Sequence, residues 1–458
     1  MFEKLFGWLT GSGKTVHPPR TPQRNDAQGF EKLNRDAPLR AETMPGTVQV
    51  TTFLCRDAVL DRNQRIAGYQ FMLQEGARAN IRHSSRRVHH LYAEVLVRSL
   101  VNANISELLG HRIAFVDVPD SFLANPCLSN LPAKNVVLTP TLHAEAGAPD
   151  SETLRHAVDD LRQQGFRLCI PDPTVVTDFL PLLPVADYIF VHAQVLDARR
   201  GLHLNKLIHE VAPNARLLVR DLPSIEEFRF CYKLGATLFQ GPFITSREDW
   251  REREVGTNTA RVSTIIARLR KEAETHELAK LLKQDAALSL RLLRYINSAA
   301  NALPQPISSI EHALTLLGRE KLYRWLILLV CSAGSENERG SAALETALVR
   351  GRMMELLGKK RTTDQREALF LVGLLSLVDV ILQVPLEKAL AHLAMSPEID
   401  AALRSNSGPL RPMLELAIAC EGSDGEQIRA AAERCGISPE LASECHMQAL
   451  TWAMQIQD

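Results

Sequence analysis

The stretch Gly165–Gln194 reads GFRLCIPDPTVVTDFLPLLPVADYIFVHAQ, and it decides the reading of the first half of the chain. Arg167–Ile170 (RLCI) and Tyr188–Val191 (YIFV) are short β-rich runs, each stopped by turn-forming residues. The residues before them, Ser151–Gln164, carry helical spacing instead. The same alternation extends outward in both directions. Further strands are predicted at Ile66–Met72, Arg112–Val118, Asn135–Thr139, Arg216–Val219 and Ala236–Phe239, and helices at Arg86–Leu109, Leu202–Val211 and Ser224–Leu234. Such βα alternation predicts a mostly parallel sheet, and seven or eight units suit a barrel whose chemistry sits where the strands end.

Beyond about Glu252 the texture changes. Periodic apolar spacing covers Val262–Leu269, Leu278–Leu282, Ala287–Ile296, Ile310–Leu317, Leu322–Cys331, Ala342–Leu357, Ala368–Leu382, Leu386–Leu393 and Met413–Cys420, with almost no strand pattern. This half reads as all-helical. The fold class is therefore α/β plus all-α, a TIM-barrel-like domain followed by a helical one. At the other end, Thr10–Gly46 is rich in Gly, Pro, Arg, Thr and Asn and poor in spaced apolar residues, which predicts a disordered tail. Phe2, Leu5, Phe6, Trp8 and Leu9 ahead of it could share one helical face, although a frayed terminus is the simpler reading. The expected division is 1–46 tail, 47–250 barrel and 251–458 helical domain.

With 458 residues, 45% of them hydrophobic, there is material for two or three cores. Lys plus Arg and Asp plus Glu both total 53, and a net charge of zero argues against a dedicated nucleic-acid binder. The basic run Arg82–Arg87 reads as the solvated start of a helix. The eight cysteines are scattered and form no CxxC pair, which predicts buried thiols and a cytoplasmic, reducing location. No apolar run approaches the roughly 20 residues needed to span a bilayer. The tail contains GSGKT at Gly11–Thr15, but Trp8 stands where a phosphate loop needs its first glycine and no strand precedes it, so the motif is rejected.

Several blocks of the first domain resemble the EAL family of barrel phosphodiesterases, which linearise cyclic di-GMP with two divalent metals. They are Gly68–Leu73 (GYQFML), Ala114–Val118 (AFVDV), Asn135–Thr139 (NVVLT), Gly165–Asp172 (GFRLCIPD), Ala186–His192 (ADYIFVH) and Leu234–Gly241 (LGATLFQG). Two-metal hydrolysis needs several carboxylates to hold ions about 4 Å apart. The resemblance implies that the family's signature glutamate is replaced by Gln70, a ligand asparagine by Asp117, a second glutamate by Thr139 and one of two paired aspartates by Pro171, leaving Asp172. It further implies that the catalytic lysine has become Phe190, the acidic residue beyond it His192 and the late glutamate Arg220. Gln240 is unchanged, and the arginine that would grip substrate phosphate reads Gln74.

In the second domain, Leu281–Ala299 (LLKQDAALSLRLLRYINSA), Ile307–Ile310 and Ala313–Gly318 resemble the HDOD family, a relative of the HD metal-dependent phosphohydrolases. None of His276, His312, His392 and His446 is followed by Asp. Where an HD relative would read Gly-Leu-Leu-His-Asp, this chain has Gly373-Leu374-Leu375-Ser376-Leu377. Asp379 reads as a helix-surface or hydrogen-bonding residue. Arg291, Arg294, Asn297 and Arg319 read either as caps and solvated faces or, for Asn297 with the Leu303–Ile307 turn, as part of a partner groove. No catalytic, cofactor-binding or metal-binding residue is therefore assigned, and no cofactor is expected. The expectation is a noncatalytic signalling regulator related to cyclic di-GMP that contacts other signalling proteins. The alternative is a cyclic di-GMP receptor without turnover, and weak phosphodiesterase activity comes third.

Overall fold

The structure, a computed structural model, describes residues 54–73, 86–102, 104–105, 109, 111–142, 148–297, 307–334, 340–391, 393–422 and 424–457. The tail with its GSGKT motif, Gln74, and Leu303–Pro306 lie outside these residues.

Eight strands close into a barrel in sequential order: β1 (Leu54–Asp61), β2 (Ile66–Leu73), β3 (Ile113–Pro119), β4 (Val136–Thr141), β5 (Arg167–Pro171), β6 (Tyr188–His192), β7 (Arg216–Arg220) and β8 (Leu238–Gln240). Helices α1 (Arg86–Asn102), α2 (Ser151–Gln163), α3 (Ala198–Val211) and α4 (Ile225–Lys233) alternate with them. Three of these helices begin at side-chain caps the sequence supplies: Asp150, Asp197 and Ser224 each accept from the backbone N–H three residues on. The barrel the alternation predicts is thus present.

One strand was not anticipated. β1 runs antiparallel to both β2 and β8, whereas β2 to β8 pair in parallel. Its sequence, LCRDAVLD, has a charged pair at its centre that hides the strand pattern. A tight hairpin joins it to β2: Asp61 Oδ1 accepts from the N–H groups of Asn63 (2.8 Å) and Arg65 (3.0 Å), and Gln64 takes a left-handed φ of 53°. No helix intervenes between β1 and β2. Close approach of β2 to β3 needs Gly68, where a Cβ would lie 2.2 Å from the Ile113 carbonyl oxygen.

Strand alternation separates two apolar layers. Val59, Phe115, Val137, Cys169, Tyr188, Leu218 and Leu238 fill the lumen. Ala114, Val116, Leu138, Ile170, Ile189, Val219 and Phe239 face the surrounding helices.

The second half is helical, from α5 (Thr257–Arg270) through α6 (Thr275–Lys283), α7 (Ala286–Ile296), α8 (Ile310–Leu317) and α9 (Arg319–Gly334). It continues through α10 (Gly340–Leu357), α11 (Thr363–Leu375), α12 (Val378–Leu382), α13 (Leu386–Leu390), α14 (Pro397–Arg404), α15 (Arg411–Ala419), α16 (Gly425–Cys435) and α17 (Pro439–Gln457). α10 is its central helix, buried along most of its length. It meets α11 backbone to backbone, and a Cβ on Gly373 would sit 2.3 Å from the Gly351 nitrogen. Arg319 donates to the Leu269, Glu272 and Ala273 carbonyls, ending α5, so it is a cap. Asn297 exchanges two 2.7 Å hydrogen bonds with the Ile307 backbone and ties the end of α7 to the residues that lead into α8, a structural role. All eight cysteines are free thiols and six are buried.

The helical half packs on the side of the barrel that carries no helix. Glu345 of α10, 2% exposed, meets the outer face of the β1–β2 hairpin. Tyr69 Oη donates to both its oxygens (2.7 and 2.8 Å), Arg56 lies 2.7 Å away, and Arg112 donates to Tyr69 Oη at 2.6 Å. Cys55 Sγ donates to the Gly422 carbonyl, and Arg247 pairs with Asp379. Asp379 is 2% exposed, so it is a buried hydrogen-bonding residue and not a helix-surface one.

Candidate functional site at the barrel mouth

The side chains that share the inward parity of the lumen at this mouth are Gln70, Asp117, Thr139, Pro171, Phe190, His192, Arg220 and Gln240, toward the C-terminal ends of the parallel strands, and Asp57, in the N-terminal half of the antiparallel β1. Nearly every substituted position singled out in the sequence therefore falls in one layer at the mouth. Asp172, one residue past β5, and Asp221, one past β7, sit on the rim.

Asp117 is the hub of the layer. Arg220 grips it with two parallel hydrogen bonds of 3.1 Å, and Gln70 Nε2 donates to the same carboxylate at 2.8 Å. The Arg220 guanidinium also lies 4.1 Å over the Phe190 ring. Burial alone would disfavour its charge, but Asp117, together with nearby groups that include Asp221, outweighs this and keeps Arg220 protonated. Phe190 in turn meets His192 edge to face at 5.5 Å, and His192 Nδ1 is 2.5 Å from Asp221 Oδ2. Asp221 has a left-handed φ of 60°. Gly241, which could not carry a Cβ within 2.4 Å of the Leu222 nitrogen, clamps the following turn.

Asp172 is turned away from this hub. Arg200 donates to Oδ2 at 2.8 Å, while Thr174 donates to Oδ1 from its N–H (2.9 Å) and its hydroxyl (2.6 Å). Gln240 donates to Asp57 at 2.8 Å. Thr139 is fully buried, and burial first of all pushes the neighbouring Cys169 thiol up to about 12, which leaves it a protonated core group.

The donor set does not fit the two divalent cations that the resemblance implies. Both oxygens of Asp117 and both of Asp172 already accept from arginine, amide or hydroxyl groups, and a guanidinium stands beside Asp117 where a cation would have to enter. Among the described residues no three His, Cys, Asp or Glu side chains are grouped so as to hold a metal. Asp57, Arg200 and Asp221 were missed in the sequence. Asp57 belongs to the strand hidden by its charged pair, and Arg200 lies 28 residues from Asp172 on another element.

The corresponding region of the helical domain is also filled. Ser376 and Leu377 are buried. Ser376 Oγ donates to the Gly373 carbonyl at 2.7 Å and accepts from Arg350 Nη1 at 3.0 Å. Arg350 forks onto Glu421 at 2.5 and 2.7 Å. A cavity of about 690 Å³ opens beside them, lined by Trp250, Arg350, Asp379, Arg404 and Arg411 among others, each of these arginines being paired with a carboxylate.

The fold defines the class first: a closed eight-stranded barrel joined to a helical region in which residues 258–398 match the HDOD domain family model. That is the architecture implied by the resemblance to the EAL and HDOD families. Among particular proteins, the chain is similar to the cyclic di-GMP phosphodiesterase CdgJ of Vibrio cholerae, 23% identical over 424 residues that cover 92% of this chain and 96% of the relative. It is equally similar to the protein YuxH of Bacillus subtilis (strain 168), 23% identical over 412 residues, 89% of this chain and 99% of that one. The solved structures that the chain is similar to include the PaMucR phosphodiesterase in complex with c-di-GMP (12% identity, 42% of this chain and 94% of that chain, TM-score 0.36). A standalone EAL protein from Vibrio cholerae O395 with c-di-GMP bound is another (16% identity, 43% and 91%, TM-score 0.35). No helix among the described residues is long and apolar enough to cross a membrane.

Proposed function

We propose that this chain is a noncatalytic regulator related to cyclic di-GMP signalling, which acts through contacts with other signalling proteins. The relation to cyclic di-GMP is supported by similarity along nearly the whole chain to CdgJ. The loss of chemistry is supported by one observation above all: the guanidinium of Arg220 sits on Asp117, held by two 3.1 Å hydrogen bonds. Hydrolysis with two metals needs carboxylates whose lone pairs face a cation and a water it can ionise. Here the carboxylate is neutralised from within the chain. Gln70, Thr139, Pro171 and Phe190 supply no further anionic ligand, and His192 is engaged with Asp221.

A barrel and an HDOD domain without such chemistry still offer large, rigid surfaces. On this reading the barrel is a docking or sensing module and the helical domain an interaction module. The experiment is to incubate the purified full chain with cyclic di-GMP and Mg²⁺ or Mn²⁺. No linear product should form above a control lacking the protein. Turnover that depends on metal and saturates with substrate would refute the proposal.

A further inference from the structure

The contact between Glu345 and the barrel lies directly behind the lumen. Successive side chains of a strand point to opposite faces, so Arg56 and Asp57 on β1, and Tyr69 and Gln70 on β2, stand back to back. Asp57 and Gln70, directly opposite each other in the ladder, face the lumen, where they bond Gln240 and Asp117. Arg56 and Tyr69 face the helical domain, where both bond Glu345. With no helix between β1 and β2, nothing but the two strands separates the mouth of the barrel from α10.

The junction also has room to rearrange. A cavity of about 360 Å³ is lined by Arg56, Asp57, Tyr69, Gln240, Glu345 and His446 among others, from both domains. Among the described residues, two buried polar atoms of this lining, Arg56 Nη1 and Gln240 Oε1, find no hydrogen-bond partner. Packed interfaces of this kind tend to switch between discrete arrangements instead of deforming smoothly.

We infer that the β1–β2 hairpin is a relay, in which displacement of Asp57 or Gln70 in the lumen changes the hold of Arg56 and Tyr69 on Glu345 and so the seating of α10. This deepens the regulatory reading by naming how the barrel acts on the helical domain. It is tested without any partner or nucleotide, so its failure and the failure of that reading are told apart.

The test is hydrogen–deuterium exchange on the full chain, comparing wild type with Asp57→Asn, Gln70→Met, Glu345→Gln and the two lumen–Glu345 double variants. Asp172→Asn, a rim change just past β5 on the far side of the barrel, is the control. Each lumen variant should speed exchange of the 340–357 amides at least threefold, while the control leaves them unchanged. In the Glu345→Gln background the lumen variants should add less than 1.5-fold. Should Asp57→Asn fail to fold, Gln70→Met carries the same comparison. Unchanged exchange in 340–357 for the folded lumen variants would overturn the relay. So would an equal rise in the Asp172→Asn control, or lumen and Glu345 effects that simply multiply.

Discussion

Replacing Arg220 by Met tests the lumen most directly, because Met keeps the volume and the apolar contact with Phe190 while removing the cation. Arg220 is 4% exposed, and its two 3.1 Å bonds to Asp117 are left without a replacement donor. Breaking a buried ion pair from one side costs about 3–5 kcal/mol, since the remaining charge stays desolvated. Loss of the cation–π attraction to the Phe190 ring adds about 0.5–2 kcal/mol. Asp117 retains Gln70, which places the total toward the lower end, about 3 kcal/mol. At about 2–4 °C per kcal/mol the melting midpoint should fall by roughly 6–12 °C. Urea unfolding followed by circular dichroism reads the loss, and the double variant Asp117→Asn/Arg220→Met isolates the pair. The cycle should show a coupling of at least about 1.5 kcal/mol, in the range found for residues in one network. A cost below about 1 kcal/mol, or additive single effects, would mean that Arg220 is not the charge that holds Asp117, and the case against a metal site would weaken with it.

Further outcomes follow from other positions. His446 is buried, and burial first and the Arg56 charge second hold its imidazole down at about 3. A folded value below the unfolded one means that the unfolded chain takes up the proton first. Stability should therefore fall by about 1.4 kcal/mol per pH unit from about pH 6.5 down toward 3, a slope that unfolding at pH 7, 6 and 5 measures and that His446→Gln should lessen. Gly373→Ala should cost about 1–3 kcal/mol or more, because its Cβ would enter the α10 backbone; a neutral thermal shift would contradict that packing. Asn297→Ala should cost about 1–3 kcal/mol by stranding the Ile307 backbone groups, read as a lower urea midpoint with an unchanged slope.

Much of this architecture was legible in the sequence because strands buried on both faces are written as uninterrupted apolar runs. Leu168–Ile170 and Ile189–Val191 are such runs, and they fall within β5 and β6. β1 was not legible, since Arg56 and Asp57 serve opposite faces of the strand and both look out of place in a core. The mouth residues were legible as a set of substitutions, but their partnerships were not. Asp117 and Arg220 lie 103 positions apart, and only closure of the barrel brings them together. Asp379 shows the same limit from the other side: its Arg247 partner comes from the connection between the domains, so one helix read alone makes it look like a surface residue.

The missing helix between β1 and β2 also bears on how the chain is made. The barrel can close once Gln240 has left the ribosome, yet the outer face of the hairpin stays uncovered until Glu345 follows about 100 residues later. At a synthesis rate of about 5–20 residues per second that interval is about 5–20 s. For that time Arg56 and Tyr69 stand in water on a finished barrel whose last wall has not been translated. A barrel that closes before the helical half emerges would lack the wall that Glu345 and α10 supply among the described residues, and the helical half would complete it.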